Sequence, residues 1–312
     1  MATLTLLVGI PCSGKSAYAK TKIDRKVRIL TTDMVRKELF GYDDDPKHNE
    51  TVLKSLFEKA RKLLEDGRDV LIDEPCCTKQ DRQKILENFN DLNIRRKAII
   101  IDTPVEICLK RNNERRNSIN NEIINEAAKN FEFPQKDENF NEIVVIKTTK
   151  DGFMKYLQTT LLLIIKDGKV LLAKKKRGFG AGLYNGAGGK VNAHETVEEA
   201  MLREAKEELN IVPINYKKRA EINFDEYVKD ERALVNMHIY VAENYEGSPE
   251  ETEEMQPVWF ETSKIPFSRM FPDDSYWLPE ILKGNNVTGF FKYDINLNTL
   301  EHEVNVTTEN FN

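Results

Sequence analysis

An apolar run at residues 4–9 leads straight into Gly9-Ile10-Pro11-Cys12-Ser13-Gly14-Lys15-Ser16, and a helix-forming stretch follows. Glycines at both ends of a short loop, followed by lysine and serine, leave the backbone few options. They call for a tight turn whose N–H groups converge at the positive end of the next helix. Such a turn joins a strand to a helix, which commits this part of the chain to a sheet covered by helices. The neighbouring segments agree. Residues 27–30, 69–72, 97–101 and 143–146 read as short buried strands, and helical spacing appears at 51–64, 79–89 and 105–115. This alternation predicts an α/β domain with a parallel sheet.

Converging N–H groups of this kind cradle phosphate oxygens, with Lys15 reaching the distal phosphates and Ser16 holding Mg²⁺. The competing reading is a Gly-rich turn with a surface lysine, which the flanking strand and helix disfavour. Asp33 follows the second strand, where a carboxylate can take a proton from an attacking hydroxyl, with Arg36 one turn on to hold the acceptor. Equally, Asp33 can simply cap a helix beginning at Met34. Asp73 closes the next strand, at the strand ends where open α/β sheets carry ligands. Arg111, Arg115 and Arg116 lie on a helical segment, either as a lid over phosphates or as a solvated face.

Taken together, the loop, Asp33-x-x-Arg36, Asp73 and Arg111-Asn112-Asn113-Glu114-Arg115 resemble the kinase domain of the bacteriophage polynucleotide 5′-kinase family. The resemblance implies a P-loop kinase domain over residues 1–149 with ATP as phosphoryl donor. It implies Asp33 as general base, Arg36 as ligand of the acceptor phosphate, and Arg115 as the transition-state arginine. Gly9, Cys12, Ser13, Gly14, Lys15, Ser16, Asp73 and Arg111 complete the implied nucleotide site. The phage enzyme's phosphatase half has no match here, and the acceptor hydroxyl stays open.

Beyond residue 150 the pattern changes. A strand at 159–165, the turn Lys166-Asp167-Gly168 and a strand at 170–173 form a hairpin. A loop containing Gly178, Gly180, Gly182, Gly186, Gly188 and Gly189 precedes a helix at 197–209. Strands are expected at 218–224, 233–242 and 257–261, and the acidic stretch 246–254 reads as a solvated connection. On the helix, Glu204, Glu207 and Glu208 are spaced i, i+3, i+4 and share one face. Three carboxylates so close repel one another unless a cation sits among them. Hard oxygen-liganded cations fit, Mg²⁺ first and Mn²⁺ second. Thr196 and Glu199 form a capping box, and Arg203 can pair with Glu195.

A solvated acidic helix is the alternative, but it does not account for Gly189-x5-Glu195-x7-Arg203-Glu204-Ala205-x-Glu207-Glu208 as a fixed series. This is the Nudix box. The resemblance implies an α/β/α sandwich with a mixed sheet over residues 150–312, and hydrolysis of a nucleoside diphosphate linked to another group. Asn210 stands where the box has glycine, and asparagine tolerates the same left-handed C-cap. The segments 174–186 and Phe271-Pro272-Asp273-Asp274-Ser275-Tyr276-Trp277 are further similar to the mammalian oxidised-purine nucleoside triphosphatases. That similarity implies cleavage of 8-oxo-dGTP and related triphosphates to monophosphate and pyrophosphate. It implies Thr160, Lys175, Asn185, Phe271, Asp273 and Asp274 as substrate ligands, and Glu254 as a fourth metal carboxylate. Phe271 replaces a tryptophan and offers less stacking area. Adjacent Asp273 and Asp274 discourage joint ionisation, so one can stay protonated and donate to the base.

Length and composition fit two such domains: 312 residues, 40% of them apolar. Residues 1–150 carry 28 Lys+Arg against 25 Asp+Glu, too slight an excess for a nucleic-acid footprint, while the remainder carries 19 against 27. Four cysteines without disulfide or zinc spacing, no apolar run of membrane length and no leader pattern point to a cytoplasmic, reducing compartment. The expected partners are small-molecule nucleotides, with 5′-hydroxyl nucleic-acid ends as a further class, and no membrane. The leading expectation is therefore a bifunctional enzyme. The alternatives are an RNA 5′-end processing enzyme, or a Nudix hydrolase carrying an ATP-binding interaction module. His194 and His238 read as structural, and His48 and His302 as surface residues.

Overall fold

Leu4, Leu6, Leu7 and Val8 are all fully buried in β1 (Thr3–Val8), so both faces of this strand are covered. Burial on both faces is the mark of a parallel sheet between helices. In the computed structural model, which describes residues 1–21, 27–41, 45–149, 152–228, 231–307 and 311, the chain divides into two compact units. They are Met1–Lys155 and Tyr156–Asn312. The boundary expected at 149/150 falls beside residues 150 and 151, outside the described residues. Among the described residues, no helix is long and apolar enough to cross a membrane.

The first unit runs through α1 (Lys15–Thr21), β2 (Val27–Leu30), α2 (Thr32–Phe40), α3 (Asn49–Glu65), β3 (Asp69–Ile72) and α4 (Lys79–Leu86). It continues with β4 (Arg95–Asp102), α5 (Val105–Asn113), α6 (Asn121–Lys129) and β5 (Glu142–Thr149). The strands lie in the order β5-β4-β1-β3-β2, and every pairing is parallel. Leu4, Leu6 and Val8 pack with Val52, Leu56 and Ala60 of α3, while Leu7 packs with Tyr18 and Ala19 of α1. Two expectations are corrected. α2 begins at Thr32, and its cap is Thr31, whose Oγ1 accepts from Met34 N at 3.0 Å. Asp33 is thus not the cap; it sits in the first turn, where negative charge suits the helix dipole. α5 ends at Asn113, so Arg115 and Arg116 lie in the loop beyond it rather than on the helix.

The second unit is built from β6 (Gly152–Lys166, from Tyr156 onward), β7 (Lys169–Lys175), β8 (Tyr184–Asn185), α7 (Val197–Leu209) and β9 (Ile211–Ile214). β10 (Lys217–Val228), β11 (Glu231–Ala242), β12 (Asn244–Gly247), β13 (Met255–Glu261), α8 (Asp274–Leu282), β14 (Asn286–Tyr293) and β15 (Thr299–Thr307) follow. Asp167 and Gly168 both have positive φ (50° and 72°), the twist that a two-residue β6–β7 turn needs. β10 pairs antiparallel with β11 and parallel with β14, so the sheet is mixed. Leu162 and Ile164 of β6 pack under Met201, Ala205 and Leu209 of α7. Leu161, Leu163, Ile222 and Phe224 pack under Trp277, Leu278 and Ile281 of α8. Adjacent residues of β6 thus face different helices, which is the α/β/α layering. The acidic stretch is not wholly a connection, because its start lies in β12, which pairs with β9.

Candidate functional site

In the first unit, the loop after β1 is shaped by space as much as by torsion. A Cβ on Gly9 would stand 2.9 Å from both Ile101 O and Ser13 Oγ. Cys12 and Gly14 take φ values of 64° and 105°, which bend the loop around the start of α1. Ser13 is fully buried, and among the described residues its Oγ has no hydrogen-bond partner. Its carbonyl accepts from Thr103 Oγ1 and from Arg111 Nη1, both at 2.8 Å. Lys15 Nζ donates to Gly9 O at 2.7 Å and Ile10 O at 3.2 Å, folded over the loop's own carbonyls. Ser16 Oγ donates to Asp73 Oδ2 at 2.6 Å, which ties α1 to the end of β3. Arg115 Nη1 lies 3.5 Å from Cys12 Sγ. The loop, Asp73, Arg111 and Arg115 therefore come together.

Arg36 is aimed elsewhere: its guanidinium donates to Asp45 O and Asn49 Oδ1. Asp33 is exposed. Sequence reasoning missed Glu74, whose carboxylate accepts from Thr32 N and, at 3.0 Å, from Thr32 Oγ1. That contact pins the start of α2 one residue before Asp33. Burial pushes the Glu74 carboxyl above the usual range, and the charges of Asp73 and Asp33 push it the same way. Its position directly after Asp73, at a strand end, was the available signal.

In the second unit, α7 is capped as its sequence dictates. Thr196 Oγ1 accepts from Glu199 N at 3.1 Å, and Glu199 returns an acceptor to Thr196 N at 2.7 Å. Asn210 closes the helix in the left-handed region (φ 56°). Arg203 donates Nε and Nη2 to the two Glu195 oxygens, at 2.9 and 2.5 Å, and Nη2 also reaches Lys190 O at 3.1 Å. Its Nη1 reaches Glu204 Oε1 at 2.6 Å and Glu207 Oε2 at 3.1 Å. One guanidinium thus locks the loop to the helix and partly offsets repulsion between two carboxylates. Glu195 is held below the usual range by this partner.

Two glycines are required by close approach. A Cβ on Gly189 would lie 2.3 Å from Glu204 Oε1, and one on Gly188 would lie 2.0 Å from Thr160 O. The room left by Gly188 lets its N–H donate to Glu208 Oε2 at 2.8 Å. Burial pushes the Glu208 carboxyl up to about 7, with the Lys175 charge opposing and the Glu204 and Glu254 charges adding. Burial also raises Glu204. Glu254 pairs with the Arg177 guanidinium. Among the described residues, no three His, Cys, Asp or Glu side chains are gathered into a ready-made cation cage.

A second group of residues surrounds Asp273. Phe179 and Phe271 stack with ring centroids 5.5 Å apart, and Phe271 lies so close to Gly180 that a Cβ there would meet it at 2.4 Å. Asp274 Oδ2 accepts from Phe271 N at 2.9 Å. Asp273 accepts from Trp277 Nε1 at 2.9 Å and from Tyr293 OH at 2.7 Å. Both carboxyls are pushed up, each first by burial, and Asp274 further by the Asp273 charge. Asn185 Oδ1 accepts from Gly186 N at 2.9 Å. Thr160 is buried, and among the described residues its Oγ1 has no partner.

Comparison with known proteins matches each unit separately. The AAA domain family matches residues 4–134, and the NUDIX domain family matches residues 155–281. An oxidized purine nucleoside triphosphate hydrolase of Danio rerio is 45% identical over 145 residues, covering 46% of this chain and 92% of that protein. The chain belongs to the Nudix family. The oxidized purine nucleoside triphosphate hydrolase of Mus musculus is 43% identical over 134 residues, covering 43% of this chain and 85% of its own length. An L-seryl-tRNA(Sec) kinase of Methanococcus maripaludis is 26% identical over 137 residues, 42% of this chain and 53% of that protein. The protein is thus a Nudix hydrolase with a P-loop kinase-like domain ahead of it. One further Nudix-unit residue escaped the sequence reading: Glu226 on β10, whose carboxyl lies near enough to Asp273 to feel its charge. A charged residue in step with Ile222 and Phe224 was the signal.

Proposed function

We propose that the Nudix unit hydrolyses oxidised purine nucleoside triphosphates such as 8-oxo-dGTP to the monophosphate and pyrophosphate. The observation that carries this reading is the pairing, within one unit, of a carboxylate helix face with a stacked Phe179–Phe271 pair beside the buried carboxyls of Asp273 and Asp274. Similarity to the two oxidized purine nucleoside triphosphate hydrolases supports the same substrate class. The residues present fit a divalent metal. Glu204, Glu207 and Glu208 offer hard oxygen donors, and Glu208 is a buried carboxyl whose one hydrogen-bond partner among the described residues is Gly188 N. When bound, Mg²⁺ would polarise the phosphate chain and favour ionised water.

The chain's own residues do the rest. Arg203 fixes the helix face against the Gly-rich loop, and Lys175, whose charge already reaches Glu208, lies where phosphate charge must be balanced. Phe271 and Phe179 supply stacking faces for a base. Asp274 keeps its raised proton affinity, so it can donate to a base acceptor while Asp273 accepts. Incubation of the purified protein with 8-oxo-dGTP, dGTP and dATP, with and without Mg²⁺, tests the reading through release of monophosphate and pyrophosphate. Failure to cleave any purine triphosphate would remove it.

For residues 1–155 the proposal is transfer of the ATP γ-phosphoryl group to a hydroxyl acceptor. Lys15, Ser16, Asp73, Arg111 and Arg115 cluster at the loop, and Asp33 is the base candidate. Similarity to a kinase supports phosphoryl transfer rather than nucleotide binding alone. Acceptor trials with 5′-hydroxyl oligonucleotides and nucleosides decide it.

A further inference from the structure

β10 carries two neighbouring acids with opposite fates. Asp225 points away from α8 and is paired with Arg232, whose Nε and Nη2 donate at 2.8 and 2.5 Å. Glu226 is on the other face, in step with Phe224, which stacks on Phe291 and Tyr293 beneath α8. Strand alternation therefore turns Glu226 toward the side of the sheet where Asp273 lies. Among the described residues no hydrogen bond or ion pair engages its carboxyl.

That carboxyl is half-buried and has no protein partner among the described residues. Burial first and the Asp273 charge second push it up to about 7, against the opposing Lys190 charge. Asp273 has spent one lone pair of each oxygen on Trp277 and Tyr293. The carboxyls of Glu226 on β10 and Asp273 at the start of α8 thus keep acceptor capacity on the same side of the sheet. Buried polar atoms left unpaired are costly, and a ligand that pairs them recovers that cost as affinity.

We propose that Glu226 is a specificity-determining residue of the Nudix unit, reading a nucleobase edge that presents a donor beside an acceptor. The inference rests on the purine reading above and adds a contact to it. A carboxyl in its acid form offers one O–H donor and one acceptor side by side, which matches the N–H/C=O edge of a guanine or of an oxidised purine. Adenine, cytosine and thymine also pair a donor with an acceptor on one of their edges, so discrimination comes from which edge Asp273 and Asp274 leave facing Glu226. Selectivity therefore arises from Glu226 together with Asp273 and Asp274 rather than from the two aspartates alone.

Two variants separate this role from a structural one. Glu226→Gln keeps a donor and an acceptor on the same frame, whereas Glu226→Leu removes both. Steady-state hydrolysis of 8-oxo-dGTP, dGTP and dTTP gives kcat and KM, and calorimetric titration with 8-oxo-dGMP in EDTA gives binding without turnover. Glu226→Leu should raise KM for 8-oxo-dGTP about tenfold or more, leave kcat nearly unchanged, and weaken 8-oxo-dGMP binding equally. Glu226→Gln should stay within about threefold of wild type in both assays. Equal binding of 8-oxo-dGMP by wild type and Glu226→Leu overturns the proposal, even where the wild type cleaves 8-oxo-dGTP. Loss in the Gln variant as deep as in the Leu variant overturns it too, since charge rather than pairing would then matter. A wild type that binds 8-oxo-dGMP in a Glu226-dependent way but cleaves no triphosphate would sustain this contact and remove the hydrolytic reading instead.

Discussion

The indole N–H of Trp277 donates to Asp273 Oδ2 at 2.9 Å, one helical turn back along α8. Both residues are buried, so this contact fixes which way the carboxylate faces as well as satisfying the indole. Tyr293 OH takes the other oxygen at 2.7 Å. Asp273 is therefore a structural acceptor as well as a candidate reader of the base.

Asp273→Asn should show both roles. Its amide keeps one oxygen but places an NH₂ against either Trp277 Nε1 or Tyr293 OH, so one buried donor loses its acceptor. Stability should fall by about 1–3 kcal/mol, read by denaturant unfolding. Discrimination between 8-oxo-dGTP and dGTP should shrink in the same variant. A protein of unchanged stability would mean that neither contact matters in solution, and equal losses on both substrates would argue against base reading.

Glu207 and Gly189 make a matched pair of probes for the helix face. Glu207 is mostly exposed and, among the described residues, its side-chain polar partner is Arg203, so Glu207→Gln should leave the fold intact. Triphosphate hydrolysis should nevertheless drop by about a hundredfold or more, because the charge that would hold Mg²⁺ is gone. Gly189→Ala sets a Cβ where Glu204 Oε1 now lies, and the flexible end of Glu204 must move. Activity should again fall, with little change in the melting temperature. By contrast, Gly188→Ala strikes the backbone of Thr160, and should destabilise the unit outright. Full activity in folded Glu207→Gln would take this face out of the mechanism.

Local signals explain why α7 was legible in the sequence to the residue. Its capping box, its Arg203–Glu195 pair and its Asn210 stop all act within a few positions. Three consecutive cap-capable residues, Thr31, Thr32 and Asp33, defeat the same logic at α2. Only the Glu74 contact, 42 positions away in sequence, selects Thr31 as the cap by holding Thr32. The surroundings of Asp273 lie further still from local reading. Asp273 could be paired with Trp277 from spacing, but its Tyr293 partner arrives from β14, a strand that the apolar pattern did not announce. Glu226 has meaning only once strand parity and the α8 cover are known. β12 is short and acidic, and pairs with β9 through its backbone, so composition pointed to a loop.

Acidity should stabilise the metal-free Nudix unit across a defined window. Glu208 and Glu226 are each pushed from an ordinary 4.5 up to about 7, mainly by burial. A folded state with raised carboxyl pKa binds more protons than the unfolded chain between those values. The stability it contributes is complete below about pH 4.5 and is lost as pH rises through about 7. Thermal unfolding in EDTA should thus give a higher melting temperature at pH 5.5 than at pH 8. Adding Mg²⁺ at pH 8 should recover part of the difference, since a cation favours the ionised Glu208. A melting temperature that climbs steadily from pH 5.5 to 8 in EDTA would contradict the burial of these carboxyls.

Lys15→Ala should abolish ATP-dependent phosphorylation while sparing triphosphate hydrolysis. Lys15 Nζ now rests on the carbonyls of Gly9 and Ile10, at 2.7 and 3.2 Å, so the loop loses two hydrogen bonds and the contacts of a half-buried stem in the variant. Those carbonyls can turn to water, and the fold of the first unit should survive. Phosphoryl transfer depends almost wholly on positioning and charge stabilisation, and losing the ammonium should cost about a hundredfold or more in rate. The carboxylates proposed for hydrolysis fold into a separate unit, so 8-oxo-dGTP cleavage should match wild type. Asp33→Asn refines the test. It removes proton acceptance from an exposed side chain that caps nothing, so ATP binding should persist while transfer fails. A wild-type protein that binds ATP yet phosphorylates no 5′-hydroxyl DNA, RNA or nucleoside would displace the kinase reading of the first unit. Residues 1–155 would then stand as an ATP-binding module, and the Nudix activity would be unaffected.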